Sequence, residues 1–343
     1  MKTAVTVSRL HDAHASSGHV ERPERIHAIE RVLEEGQTLR DALRLPPAPA
    51  PVEAALLAHP AEYLERLQAA CEAGGARLDP DTYATPASWD VAMEALGALL
   101  ATCDAVMDGR ADNGFAIVRP PGHHARPDEA MGFCLLGNAA IAARWLQRQH
   151  GVERVLVLDF DVHHGNGTQE ILYEDPSVLY MSLHQWPLYP GTGRNDERGA
   201  GAGLGATVNV PLPARTGDAG YLAAFDRILT PLALRFKPEV ILVSAGYDAH
   251  WRDPIAGMHV TVNGFARMMR EALAWADATA EGRLVALLEG GYDAMALAYS
   301  VRASLDVLRD PDAAVEDPFG TPQIVDADAT RHLDAAAAAH LLP

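Results

Sequence analysis

Short continuous apolar runs alternate with longer stretches of helical periodicity along most of this chain. Residues 3–7, 115–118, 154–158, 178–183, 207–210, 238–244 and 283–288 are apolar runs bounded by polar or glycine-rich segments. They do not alternate apolar with polar, so each predicts a strand buried on both faces, as in a parallel sheet. Ile26, Ile29, Val32 and Leu33 recur at helical spacing, with Pro23 near the first turn. Further helices are predicted over 60–72, 86–107, 138–150, 167–173, 218–236 and 263–278, and a last one ends near 308. Strand–helix alternation of this kind predicts an α/β fold: three layers, αβα, around a central mostly parallel sheet. Residues 44–52 form a proline-rich connector too short to divide the chain. Residues 1–308 therefore read as a single α/β domain, and 309–343 as an acidic, Ala-rich C-terminal appendage.

Four of these strands end in polar clusters. The run at 154–158 leads into Asp159-Phe160-Asp161-Val162-His163-His164-Gly165-Asn166-Gly167-Thr168, and the run at 115–118 into Arg119-Pro120-Pro121-Gly122-His123-His124. The run at 238–244 leads to Gly246-Tyr247-Asp248, and the run at 283–288 to Gly290-Gly291-Tyr292. Carboxyl ends of parallel strands share one crevice, which is where α/β folds bind ligands. Alternate residues of an extended segment face one way, so Asp159, Asp161 and His163 converge while Phe160 and Val162 turn aside. Asp161, His163 and Asp248 are the candidate metal ligands. Carboxylate and imidazole together suit Zn²⁺ or Fe²⁺ better than Ca²⁺ or Mg²⁺, and three protein ligands leave a coordination position open. The tandem His123-His124 offers a general base or acid with an electrostatic partner. Asp159 and Asn166 are available to orient the two rings. Tyr292 could donate a hydrogen bond to an oxyanion. Gly201-Ala202-Gly203-Leu204-Gly205-Ala206 matches a dinucleotide fingerprint only formally, because strand-like Thr207–Val210 follows where a helix should begin.

Charge and cysteine usage narrow the picture. The net charge is −18 over 343 residues, which argues against nucleic-acid binding and is compatible with a cationic substrate. Cys71, Cys103 and Cys134 are widely spaced, so neither a disulfide framework nor a thiolate zinc site is expected, and a reducing compartment fits. Cys134 is expected to be a buried packing residue rather than a redox sensor. The N-terminus is too short in apolar length for a signal peptide, and no apolar run reaches a membrane-spanning length. The expected location is cytoplasmic.

Seven segments carry a resemblance to a known family. They are Arg119–Ala125, Gly132-Phe133-Cys134, Asp159–Gln169, Ser182-Leu183-His184, Tyr189-Pro190-Gly191-Thr192-Gly193, Ser244–Asp248 and Glu289–Tyr292. In order and content the series resembles the histone deacetylase/acetylpolyamine amidohydrolase family, over residues 22–292. The resemblance implies the arginase/deacetylase-type fold and a zinc-dependent deacylase. It implies zinc (or Fe²⁺) on Asp161, His163 and Asp248, His124 as general base and acid paired with Asn166, and His123 as electrostatic partner paired with Asp159. It implies that Tyr292 polarises the acyl carbonyl, that Phe133 and Tyr189 wall an acyl-lysine tunnel with Gly132 beside the acyl chain, and that Arg25 lines an internal channel. It further implies a structural K⁺ touching Asp159, Asp161, His163, Ser182 and Leu183. Two positions depart from parts of the family. Asn166 stands where some members carry Asp, which resembles the class II-like branch. Ile255 stands where a polyamine-selective eukaryotic branch carries a gatekeeping Glu. The expected substrate is an acyl-lysine protein or peptide. The alternatives are an acetylated polyamine, a catalytically weak acyl-lysine binder, or an arginase-like hydrolase, which would need more bridging Asp residues than appear here. The sequence leaves the oligomeric state open.

Overall fold

A computed structural model of the chain describes residues 1–342. Eight strands form one sheet in the order β2-β1-β5-β10-β9-β6-β7-β8, and every pairing in it is parallel. The strands are β1 (Thr3–Val7), β2 (Leu43–Arg44), β5 (Asn113–Ile117), β6 (Val155–Asp159), β7 (Val178–Gln185), β8 (Thr207–Leu212), β9 (Val240–Ala245) and β10 (Leu284–Leu288). A separate antiparallel pair, β3 (Ala76–Arg77) and β4 (Tyr83–Ala84), was not legible in the sequence. Neither was the two-residue edge strand β2, which opens the proline-rich connector.

The helices are α1 (Glu24–Glu35), α2 (Val52–Ala55), α3 (Ala61–Glu72), α4 (Ser88–Met107), α5 (Asn138–His150), α6 (Asn166–Leu172), α7 (Asp218–Ala224), α8 (Thr230–Phe236), α9 (Val262–Thr279), α10 (Ala294–Arg309) and α11 (Thr330–Ala339). They cover both faces of the sheet, as continuous apolar strands require. Leu156 and Leu158 of β6 enter one core with apolar residues of α1, α7, α9, α10 and α11. Val155 and Val157 enter the other core, with α3, α4 and α5. The same division by alternate residues holds on β9 and β10.

The single helix expected over 218–236 is interrupted. A π-helical turn at Phe225–Leu229 joins α7 to α8. Pro231 sits in the first turn of α8, and its missing N–H removes the bond that would hold the turn before it. The C-terminal appendage is packed rather than loose. Leu333, Ala336 and Ala337 of α11 are buried in the main core. Among the described residues no helix is long and apolar enough to cross a membrane.

Candidate active site

The strand order places β5, β10, β9 and β6 side by side at the middle of the sheet. These are the strands whose carboxyl ends carry His123/His124, Tyr292, Asp248 and Asp161/His163. The chain leaves β5 and re-enters at β6 three positions away, and β9 and β10 later fill the gap. Residues far apart in sequence thus meet at the carboxyl end of the central strands.

Asp161 and Asp248 are completely buried and tethered to backbone, Asp161 through both oxygens, since its Oδ1 also accepts from the His163 N–H at 2.9 Å. Asp161 Oδ2 accepts from the Gly290 N–H at 2.8 Å and Asp248 Oδ1 from the Val162 N–H at 2.8 Å. The other oxygens, Asp161 Oδ1 and Asp248 Oδ2, each lie 3.1 Å from His163 Nδ1. A tetrahedral Zn²⁺ with bonds of about 2.0–2.1 Å holds its ligand atoms about 3.3 Å apart. The three side chains therefore fit a cation of this class with little adjustment. Two carboxylates facing one imidazole also leave the cluster short of positive charge. Burial works against a charged His163, but Asp161 and Asp248 outweigh it and push its pKa up to about 10. Glycine is required behind the carboxylates: a Cβ at Gly246 would collide with Asp161 Oδ2, and one at Gly290 with Asp248 Oδ2.

The His123 and His124 rings lie with centroids 4.0 Å apart, tilted 41° to each other, yet their surroundings drive them in opposite directions. His123 Nδ1 is 3.2 Å from Asp159 Oδ2. Burial disfavours its charge, but Asp161 and Asp159 prevail and raise its pKa to about 10. His124 Nδ1 is 2.8 Å from Asn166 Oδ1, on the first turn of α6. Its pKa falls well below the ordinary value, through burial and then the neighbouring His123 and His163. One ring is held as imidazolium and the other as a neutral base, with opposite environments setting the two roles. Asp159 is steadied by the Tyr180 hydroxyl at 3.0 Å. Ser182 pairs with Asp159 in the β6–β7 register, with Leu183 next along β7.

A cavity of 270 Å³ opens above this floor, lined by His124, His163, Tyr292, Gly132, Phe133, Tyr189, Leu188, Ile255, Val20 and Asp81. Gly132 and Phe133 both have positive φ, 55° and 70°. That strained backbone lets Gly132 pass against the His124 ring, where a Cβ would collide. Tyr189 meets His124 edge-on at 5.1 Å, and Phe133 meets Tyr292 edge-on at 5.7 Å. Burial raises the Tyr292 hydroxyl well above the usual phenol range, so it remains a donor at neutral pH. The Arg25 guanidinium lies 5.0 Å from the Tyr292 ring and donates to the Gly291 and Glu289 carbonyls at 2.7 and 2.5 Å.

Every residue expected at the site is gathered on or around this floor, but several that hold it were missed. Glu21 is buried between Arg25, at 3.1 Å, and Arg119, at 2.6 Å. Glu289 accepts from the Gly122 and His123 N–H groups at 2.6 and 3.2 Å, and burial raises its pKa to about 7. Asp253 accepts from the N–H groups of both Tyr292, at 2.7 Å, and Ile255, at 3.0 Å. Glu289 and Arg119 lie inside recognisable motifs and signalled their presence if not their task. Glu21 and Asp253 were missed because what ties them to the site, Arg119 for Glu21 and the Tyr292 N–H for Asp253, is remote in sequence. The three cysteines are free and buried. Cys134 packs beneath His124, whose N–H lies 3.4 Å from its sulfur.

A histone deacetylase domain matches residues 19–308. The chain belongs to the histone deacetylase family. A histone deacetylase-like amidohydrolase of Pseudomonas aeruginosa is 42% identical over 307 residues, 89% of this chain and 80% of that protein. A probable deacetylase of Archaeoglobus fulgidus is 46% identical over 280 residues, 81% of this chain and 77% of that one. Among solved structures, the HDA15 HD domain superposes with a TM-score of 0.91 at 34% identity, covering 99% of this chain and 94% of that one. The fold is thus the arginase/deacetylase type, and the chain is a deacetylase-class amidohydrolase that hydrolyses amide bonds. The matched histone deacetylase domain holds all the site residues described above and stops within the last turn of α10, leaving α11 outside it.

Proposed function

We propose that the chain is a metal-dependent lysine deacylase. The observation that carries this reading is the convergence of Asp161, His163, Asp248, His124 and Tyr292 on the floor of one aromatic-walled cavity. Asp161, His163 and Asp248 would hold the ion, of the Zn²⁺ or Fe²⁺ class. When bound, such an ion supplies Lewis acidity toward the acyl carbonyl and acidifies a coordinated water. Phe133 and Tyr189 flank a space suited to the aliphatic stem of lysine, with Gly132 beside the acyl chain. His124 keeps Nδ1 on Asn166 and leaves Nε2 free to take a proton from the attacking water. The same nitrogen then returns that proton to the leaving amine. Tyr292 donates to the oxyanion that develops on the acyl oxygen. His123, charged and held by Asp159, stabilises that negative charge from behind His124. A K⁺ bound by Asp159, Asp161, His163, Ser182 and Leu183 would brace the β6–β7 end.

A second reading, hydrolysis of acetylated polyamines, draws support from Asp81 in the cavity lining, since a carboxylate there would attract a second ammonium group. Ile255 on the same lining offers no such attraction. The deciding experiment compares kcat/KM of the zinc-loaded protein on an acetyl-lysine peptide and on N-acetylputrescine. Preference for the peptide is expected. Preference for the polyamine would move the function to small amines, and turnover of neither with metal bound would leave an acyl-lysine binder.

A further inference from the structure

A second group of metal-type donors lies outside the active site. His11 and Asp12 begin the 3₁₀ turn that follows β1, and His27 lies in the first turns of α1. His27 Nε2 is 2.9 Å from Asp12 Oδ1, and His11 Nδ1 is 3.4 Å from the same oxygen. The ligand atoms of the three residues lie within 4.8 Å of one another. His11 is only 5% exposed, and its Nδ1 has no hydrogen-bond partner. A buried imidazole nitrogen without a hydrogen bond costs free energy, and the Asp12 oxygen 3.4 Å away forms none with it. One Asp12 oxygen is shared between the two ring nitrogens.

We propose that His11, Asp12 and His27 form a second binding site, for a divalent transition metal of the Zn²⁺, Ni²⁺ or Cu²⁺ class. Two imidazoles and one carboxylate are borderline donors suited to these ions. The separations of 2.9 and 3.4 Å bracket the spacing of about 3.3 Å that a tetrahedral ion of this size sets between its ligands. Asp12 and His27 reach the surface, with side chains 65% and 51% exposed, so solvent completes the coordination. Glu30, one turn beyond His27, lines the 340 Å³ cavity that His11 also faces and adds a carboxylate on that side of α1. A bound ion would clasp the segment after β1 to helix α1. The site stands independently of the catalytic reading.

The test is equilibrium dialysis of the whole chain against buffered micromolar Zn²⁺, with bound metal counted by atomic emission. The wild type is expected to hold two equivalents. His27→Ala, a change at a half-exposed position, is expected to hold one, with deacetylase turnover retained and the Zn²⁺-induced rise in Tm reduced. Asp161→Asn is expected to lose the other equivalent and keep this one. A wild type whose bound metal is lost entirely in Asp161→Asn would overturn the proposal, as would bound metal in Asp161→Asn that survives both His27→Ala and His11→Ala added to it.

Discussion

Replacing Tyr292 by Phe removes one hydroxyl and little else. The ring is gripped from one side by the Arg25 guanidinium at 5.0 Å and from another by the Phe133 edge at 5.7 Å. Its backbone N–H is tied to Asp253 at 2.7 Å. None of these contacts uses the hydroxyl, so the ring should stay in place and stability should change by less than about 1 kcal/mol. The three candidate metal ligands do not touch the hydroxyl, so metal content should not change. What is lost is one donor to the developing oxyanion in a cavity of 270 Å³, where water is a poor substitute. Loss of one such donor costs about 2.7–4 kcal/mol of transition-state stabilisation, a fall of roughly 10²–10³ in kcat. The assay is steady-state deacetylation by the zinc-loaded variant, with metal content and Tm measured on the same sample. A kcat within about threefold of wild type, well under 1.4 kcal/mol, with metal and fold intact, would refute the oxyanion role.

Three further outcomes follow from the same geometry. Gly246→Ala places a Cβ against Asp161 Oδ2 and should weaken Zn²⁺ binding on the order of 10–100-fold. Competition with a chromophoric chelator measures this, and unchanged affinity would show that Asp161 has room to move. Asp253→Ala releases the backbone of both Tyr292 and Ile255 and should lower kcat on the order of 10–100-fold through misplacement of Tyr292, with metal content preserved. If kcat holds while only KM rises, Asp253 positions the cavity rim and not the catalytic group. Glu21 is buried, which alone would raise its pKa, but Arg119 and Arg25 lower it from 4.5 to about 2. The depressed value means stability is present above pH 4.5 and is lost as pH falls toward 2, by about 3 kcal/mol. Denaturant unfolding of wild type and Glu21→Gln across that window should show the wild type losing more stability than the variant; parallel losses would remove Glu21 as the cause.

Local patterns determined much of this protein. Short, β-branched apolar runs such as Arg154–Leu158 and Arg283–Leu288 read as strands covered on both faces, and the helical periods between them supply the covers. Asp161, His163 and Asp248 stood out because carboxylates and an imidazole close behind buried strands are expensive unless something uses them. Other features follow from the packed molecule alone. The sequence does not state that β9 and β10 insert between β5 and β6, yet that order brings His124, Tyr292, Asp248 and His163 to one floor. The opposite protonation tendencies of His123 and His124 come from what surrounds them: Asp161 and Asp159 favour charge on His123 against its burial, while burial and then the neighbouring His123 and His163 disfavour it on His124. The widened turn at Phe225–Leu229 reflects Pro231 in its tertiary setting. Glu21, Asp253 and Glu289 act through partners 98, 39 and 167 residues away. Sequence reports which groups exist and which segments bury them. Only the three-dimensional arrangement decides which buried charge faces which, because those energies depend on distances of a few ångströms between residues that are remote along the chain.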